Sequence, residues 1–267
     1  MLAAKRRQEV LALLEHNGNV SVVELSRTFG VSEVTIRQDL TRMAQEGLLC
    51  RTHGGAILNK STSSELFLNV RARRNMDEKV NIAQAALDLV NDGEVVLLND
   101  GTTTALVAQK LPARKNLTVI TNALNIANEL AGLSSVKLIL LGGQYRDVTG
   151  AFVGPLVLQS LSQIQVDKLF LGVDGFSLKH GVSSPNFLET EVNRAMIEAA
   201  QEVIVVADHS KFGKDTLYQI APANKIHTVV SDNRIPEEYA RELARIGVKV
   251  LLADKEGRVI MRYHAQK

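Results

Sequence analysis

VVELSRTFGVSEVTIRQDLTRMAQEGLL, residues 22–49, decides how the N-terminal part of this chain reads. Val22, Val23, Leu25 and Phe29 mark a short helical pattern over Val22–Phe29, and Gly30 ends it. Ser32 is a good N-cap for a second pattern, Ser32 to Glu46, in which Ile36, Leu40 and Met43 recur at i, i+4 and i+7. Gly47 stops that one. At about 100° per residue, Ile36, Leu40 and Met43 point one way. Gln38, Arg42, Val34 and Thr35 point roughly the other way, with Arg37 on the flank. Two helices joined by a tight turn, the second with a polar outer face, describe a helix-turn-helix. An amide, a hydroxyl and guanidiniums on that face suit a major groove, where Gln bonds an adenine edge and Arg bonds guanine or phosphate.

Upstream, Ala4 to Leu14 gives a third helical pattern. Downstream, LLCRTHGGAIL (48–58) places two short apolar runs around Gly54-Gly55, which predicts a hairpin. Helix-turn-helix plus hairpin is a winged helix over 1–58, and Arg51 and His53 fall where a wing touches the DNA backbone. The candidate DNA-binding residues are Ser32, Thr35, Arg37, Gln38, Arg42, Arg51 and His53. The competing reading is a small helical domain with a solvated charged face.

NKSTSS (59–64) is polar and small, and opens a linker expected over 59–76. Within it, Glu65 to Asn75 is rich in arginine (Arg71, Arg73, Arg74) and reads as helical. From Asp77 the texture changes. Apolar, largely β-branched runs occur at Val95–Leu98, Leu117–Thr121, Val136–Leu141, Lys168–Val173, Val203–Ala207, His227–Ser231 and Val248–Leu252. Helical patterns fill gaps between them at Glu78–Val90, Thr103–Leu111, Leu124–Leu130, Glu189–Ala200 and Pro236–Ile246. This alternation predicts an α/β domain with a mainly parallel sheet over 77–267.

Length and composition agree with two unequal soluble units: 267 residues, 45% apolar and 22% charged. No apolar run approaches the roughly 18 residues that span a bilayer. Residues 1–74 carry 11 Lys/Arg against 7 Asp/Glu, net +4, whereas 75–267 carry 20 against 22, net −2. Unlike charge balances imply unlike partners. The single cysteine, Cys50, forms no internal disulfide, so a reducing, cytoplasmic home is expected.

VVLLNDGTTTALVAQKL (95–111) is strand, glycine loop, helix. Such a loop aims backbone N–H groups, hydroxyls and a helix N-terminus at one spot, which is a phosphate cradle. Asp100 and the three threonines also fit plain helix capping. VITN repeats the layout with Asn122, and LGGQYR supplies Gly142, Gly143 and Arg146 after a third strand. Ligands of open α/β sheets sit at the carboxyl ends of strands. Lys211, near a further strand end, is either a phosphate's point charge or an exposed loop lysine. Neither GxGxxG nor GxxxxGK[ST] occurs, which argues against nicotinamide and P-loop sites. The six histidines are scattered without metal-ligand spacing, so no cofactor or metal is expected. Only His209, between Asp208 and Ser210, lies at a strand end.

Residues 5–58 resemble the DNA-binding domain of the DeoR family of bacterial transcriptional regulators, through GVSEVTIRQDL (30–40) and GLLCRTHGGA (47–56). The resemblance runs on through Glu78-Lys79, DGTTT (100–104), VITN (119–122), LGG (141–143), FLGVDG (170–175) and VADHSKF (206–212). It implies a repressor of a carbohydrate-use operon, relieved by a phosphorylated sugar and working as a dimer or tetramer on double-stranded operator DNA. The candidate effector contacts are Asp100, Gly101, Thr102, Thr103, Thr104, Asn122, Gly142, Gly143, Arg146, Asp174 and Lys211. The chain departs from the family pattern at Arg37-Gln38, where a basic pair is usual, and at Asn99, where Asp is usual. The second domain also resembles the fold of sugar-phosphate isomerases. The alternative function is therefore an isomerase-type enzyme fused to a DNA-binding module, with Asp174, Glu189 and Asp208 as candidate bases.

Overall fold

The computed structural model describes residues 3–45, 49–57 and 68–264, and the chain folds as two compact units, Met1–Val70 and Arg71–Lys267. Among the described residues no helix is long and apolar enough to cross a membrane.

The first unit runs α1 (Ala3–Asn17), β1 (Asn19–Ser21), α2 (Val22–Phe29), α3 (Glu33–Gln45), β2 (Cys50–Arg51) and β3 (Gly55–Ile57). Gly30 ends α2 in the left-handed region at φ 63°, a conformation that costs glycine nothing. Ser32 caps α3, accepting from the Thr35 backbone N–H at 3.2 Å. Val10, Leu14, Leu25, Ile36, Leu40 and Met43 are buried together, so the apolar stripe of α3 faces the core as its spacing requires. Within this unit Arg6 Nε donates to Asp39 Oδ2 at 2.7 Å, a buried pair that pins α1 to α3.

The hairpin carries a third strand that the sequence pattern hides. β1 pairs antiparallel with β3, and β3 with β2. Gly55 is obligatory there: a Cβ would stand 1.9 Å from the Val20 carbonyl oxygen. The backbone N–H of Val22 donates to Gly54 O at 2.8 Å, so the start of α2 is tied to the hairpin turn.

The linker expected over 59–76 begins outside the described residues; its last part forms α4 (Leu68–Arg73) and the cap of the next helix. The second unit continues with α5 (Met76–Leu87), β4 (Val95–Leu98), α6 (Thr102–Lys110), β5 (Leu117–Thr121), α7 (Leu124–Leu130) and β6 (Val136–Leu140). Then come β7 (Gln144–Arg146), β8 (Ala151–Val153), α8 (Pro155–Leu161), β9 (Val166–Leu171), β10 (Gly175–Ser177) and β11 (Gly181–Ser184). The chain ends with α9 (Phe187–Ala199), β12 (Ala200–Val206), β13 (Tyr218–Ala221), β14 (Thr228–Asp232), α10 (Glu237–Arg245), β15 (Lys249–Ala253) and β16 (Val259–Tyr263).

Eight strands form one sheet, ordered β16-β15-β14-β12-β9-β4-β5-β6. Every pairing in it is parallel except β15 with β16. The mainly parallel α/β expectation therefore holds. Successive side chains of a strand point to opposite faces. In β9, Leu169 and Leu171 enter the core shared with α8, α9 and α10, while Phe170 enters the core shared with α5, α6 and α7. Both faces being covered, the strands read as continuous apolar runs. Two small antiparallel additions were not expected: the β7–β8 hairpin and the β10-β11-β13 sheet.

Candidate functional site

In the first unit, the candidate DNA contacts lie on exposed or half-exposed surface. Gln38, Arg42 and His53 are exposed, and Thr35 is half-buried. Arg37 is exposed and pairs with Glu33 at 3.2 Å, one helical turn away. Ser32 and Thr35 share a hydroxyl hydrogen bond at 2.9 Å at the N-terminus of α3. Arg51 points back onto α3: its Nη1 donates to Thr41 Oγ1 at 2.6 Å and reaches Arg37 O at 3.5 Å. Arg51 thus braces the hairpin against α3.

In the second unit, the polar residues gather where β4, β9 and β12 end. Asp100 and Thr102, Thr103 and Thr104 are buried at the start of α6, with Gly101 at the cap position. The Thr104 hydroxyl donates back to Gly101 O at 3.1 Å, and among the described residues no side chain caps the helix. A Cβ on Gly101 would meet that hydroxyl at 2.9 Å. The first backbone N–H groups of a helix have no partner within it, so the N-terminus of α6 is an acceptor's dock. Asp174, after β9, pairs with Arg71 at 3.2 Å. Glu189, one turn into α9, is buried and accepts from Arg146 Nε at 3.1 Å and Thr149 Oγ1 at 2.5 Å. Arg146 thus enters through Glu189.

These groups shift one another's proton affinities. Burial pushes the Asp100 carboxyl up to about 8, Glu189 and Asp174 add repulsion, and Arg71 opposes. Burial pulls Lys79 down to about 8 against the attraction of Asp208. Its ammonium donates to the Arg71 carbonyl. Burial also lowers Lys211, which Asp174 and Asp208 support and Arg71 opposes. Burial alone would raise Asp208, but the Ser210 hydrogen bonds, the Lys211 charge and the Asn75 amide hold it below the usual carboxylate range. Asn75 donates to Asp208 at 2.7 Å from a left-handed backbone at φ 49°.

Two expected residues, Asn122 and Gly143, also hold the scaffold. Asn122 donates to Phe152 O at 2.9 Å, fixing β8 beside β5. Gly143 packs tightly, since a Cβ there would stand 2.6 Å from Val153 O. Gly142 has open space around it. His209 pairs with Asp232, Nδ1 to Oδ2 at 3.1 Å.

Residues 6–62 match the DeoR-like helix-turn-helix domain, and residues 74–233 match the DeoR C terminal sensor domain. The chain belongs to the DeoR family of transcriptional regulators. It is 36% identical to a putative aga operon transcriptional repressor of Escherichia coli O157:H7, over 93% of each chain. It is 34% identical to the HTH-type transcriptional regulator IolR of Bacillus subtilis, over 88% of this chain and 94% of that one. With the glycerol-3-phosphate regulon repressor of Escherichia coli the identity is 32%, over 87% and 92%. Ribose 5-phosphate isomerase A of Methanocaldococcus jannaschii overlays 52% of this chain and 55% of its own, at 22% identity and a TM-score of 0.39.

As a DeoR-family member the chain pairs a DNA-binding unit with a sensor unit for a small-molecule effector. The relatives that span nearly its whole length are regulators, which sets aside the fused isomerase-type enzyme. Three residues beside the carboxylates Asp174 and Asp208 were not among the expected effector contacts. Arg71 and Asn75 come from the segment read as linker, and Lys79 entered only through the Glu78-Lys79 pair of the family resemblance. The available signal was the Arg71–Lys79 run of basic residues beside a polar Asn, ahead of an apolar helix.

Proposed function

We propose that the chain represses a carbohydrate-use operon in the cytoplasm, and that a phosphorylated sugar bound in the sensor unit controls its hold on operator DNA. One observation carries the ligand class: Arg71, Lys79 and Lys211 lie close to one another, and Arg71 also acts on Asp174 and on Asp100, just before the N-terminus of α6. Cations beside unpaired backbone N–H groups suit a phosphate. The carboxylates Asp100, Asp174 and Glu189 then face the neutral, hydroxyl-bearing part. In the first unit α3 reads bases through Gln38 and Arg42, while Arg37, Arg51 and His53 serve the backbone. One helix-turn-helix covers one half-site, so specific binding takes a dimer or tetramer. Relatives named for the aga operon and the glycerol-3-phosphate regulon support the reading.

The test is a thermal-shift panel of pentose and hexose phosphates, followed by operator binding titrated with whichever sugar stabilises the protein. Lys211→Ala removes a full charge, worth about 1.5–3 kcal/mol in a charged hydrogen bond, and should weaken effector binding more than Thr103→Ala. Neither change should alter operator affinity without effector. Normal effector response in both variants would move the phosphate elsewhere, with the loop around Arg146 as the next candidate.

A further inference from the structure

Asn99 is almost fully buried at the end of β4, and its side chain makes three hydrogen bonds. Oδ1 accepts from the Gly172 backbone N–H at 2.8 Å. Nδ2 donates to the Gly172 carbonyl at 2.9 Å and to Asn193 Oδ1 at 3.0 Å. The Gly172 backbone fixes which end of the amide is which, because its N–H must be accepted and its C=O must be donated to. Asn193, also buried, is therefore turned with its oxygen toward Asn99.

Each member of this latch sits beside one carboxylate of the sensor site. Asn99 precedes Asp100, Gly172 stands two residues before Asp174, and Asn193 lies one helical turn after Glu189 on α9. We propose that Asn99 is a positioning residue: its amide latch holds Asp100, Asp174 and Glu189 in one cluster, and so sets the grip on the hydroxyl-bearing part of the effector. The effector clause rests on the proposed function; the latch does not. The groups facing the three carboxylates are Arg71 from α4, Arg146 and Thr149 from the β7–β8 hairpin, and Lys211 after β12. A carboxylate at 99 would turn oxygen toward the Gly172 carbonyl, which has no proton to give.

The decisive measurement needs no ligand. The full chain, labelled with 13C at aspartate side-chain carboxyls, is titrated by NMR, and Asp100→Asn assigns the Asp100 signal. In the wild type Asp100 should titrate far above other aspartates. Asn99→Ala should lower its midpoint by about one pH unit or more, as the carboxylates separate and water enters. Asn193→Ala removes one bond of three and should lower it by less; it carries the test if Asn99→Ala does not fold. An unmoved Asp100 midpoint in both variants overturns the latch. In a second arm, Asn99→Ala should weaken a sugar phosphate from the panel about tenfold, while inorganic phosphate, which lacks the hydroxyl-bearing part, changes by less than about twofold. Equal losses for both probes overturn the carboxylates' part in reading the sugar. If no sugar phosphate binds the wild type, the functional reading fails while the Asp100 midpoint still decides the latch.

Discussion

The two units differ in how densely they bury charge. In the first, Arg6 and Asp39 make a buried pair at 2.7 Å that fastens one helix to another, and the groups proposed to meet DNA stay on the surface. In the second, Asp100, Asp174, Asp208 and Glu189 share one region with Arg71, Lys79 and Lys211, and burial drives several of them from their ordinary proton affinities. A matched buried pair is scaffold. An interior where carboxylates repel one another stores a readiness to bind something. Exposed Gln38, Arg42 and His53 can accordingly change at little cost to folding, whereas changes at the buried charges of the second unit register in stability and in its pH dependence.

The largest expected effect would break the first half of this contrast. Asp39→Ala takes the carboxylate from beside a buried guanidinium and should cost about 3–5 kcal/mol. Operator binding should vanish while the sensor unit keeps its thermal response to ligand. A single shared unfolding transition, lowered as a whole, would show that the two units do not melt independently.

The second prediction concerns Asp100. Its folded carboxyl titrates near 8 and its unfolded one near the ordinary 3.8, so the folded state holds the extra proton between these values. Stability from this group is present at low pH and is lost as pH rises from about 4 to 8. Asp100→Asn should therefore raise the melting temperature at pH 8.5 by about 5 °C, and by progressively less toward pH 4.5. A pH-independent difference between the two proteins would remove Asp100 as the titrating group.

Smaller effects belong to the surface. Gln38→Arg should shift the preferred base at one operator position per half-site by about 1–3 kcal/mol, read by selection from a randomised operator library. Folding stability should stay within about 0.5 kcal/mol. Arg51→Ala should be smallest and uniform across sequences, about 1 kcal/mol or less of operator affinity. The salt dependence separates its two roles. A slope flattened by about one unit marks a phosphate contact, and an unchanged slope marks a brace onto Thr41 alone.

The sequence revealed the large features and hid the small ones for definable reasons. Leu117–Thr121 and Val95–Leu98 were legible to the residue, because a strand buried on both faces is a continuous apolar run. β1 was not, since Val20 is its only apolar residue. β7, β10 and β11 are three or four residues long and hold glycine or polar side chains, which mimic loops. In the site, DGTTT announced itself through a local strand–loop–helix pattern. Asn75 could not, because its partner Asp208 is 133 residues away. The Arg71–Asp174 pair is hidden in the same way. Asn99 read as a departure from the family and is the centre of a hydrogen-bonded latch.

Gly55 and the Val22–Gly54 bond have a mechanical consequence. The wing is backed by the strand that leads straight into α2, with no room between them even for a methyl group. On the proposed function, pressure on the wing from a DNA strand passes into the start of α2 through this main-chain contact. At this junction the wing and α2 would then meet the operator as one stiff piece. Whatever misfit remains must be taken up by bending or groove adjustment in the duplex, so base steps that yield easily will be favoured even where no side chain touches them.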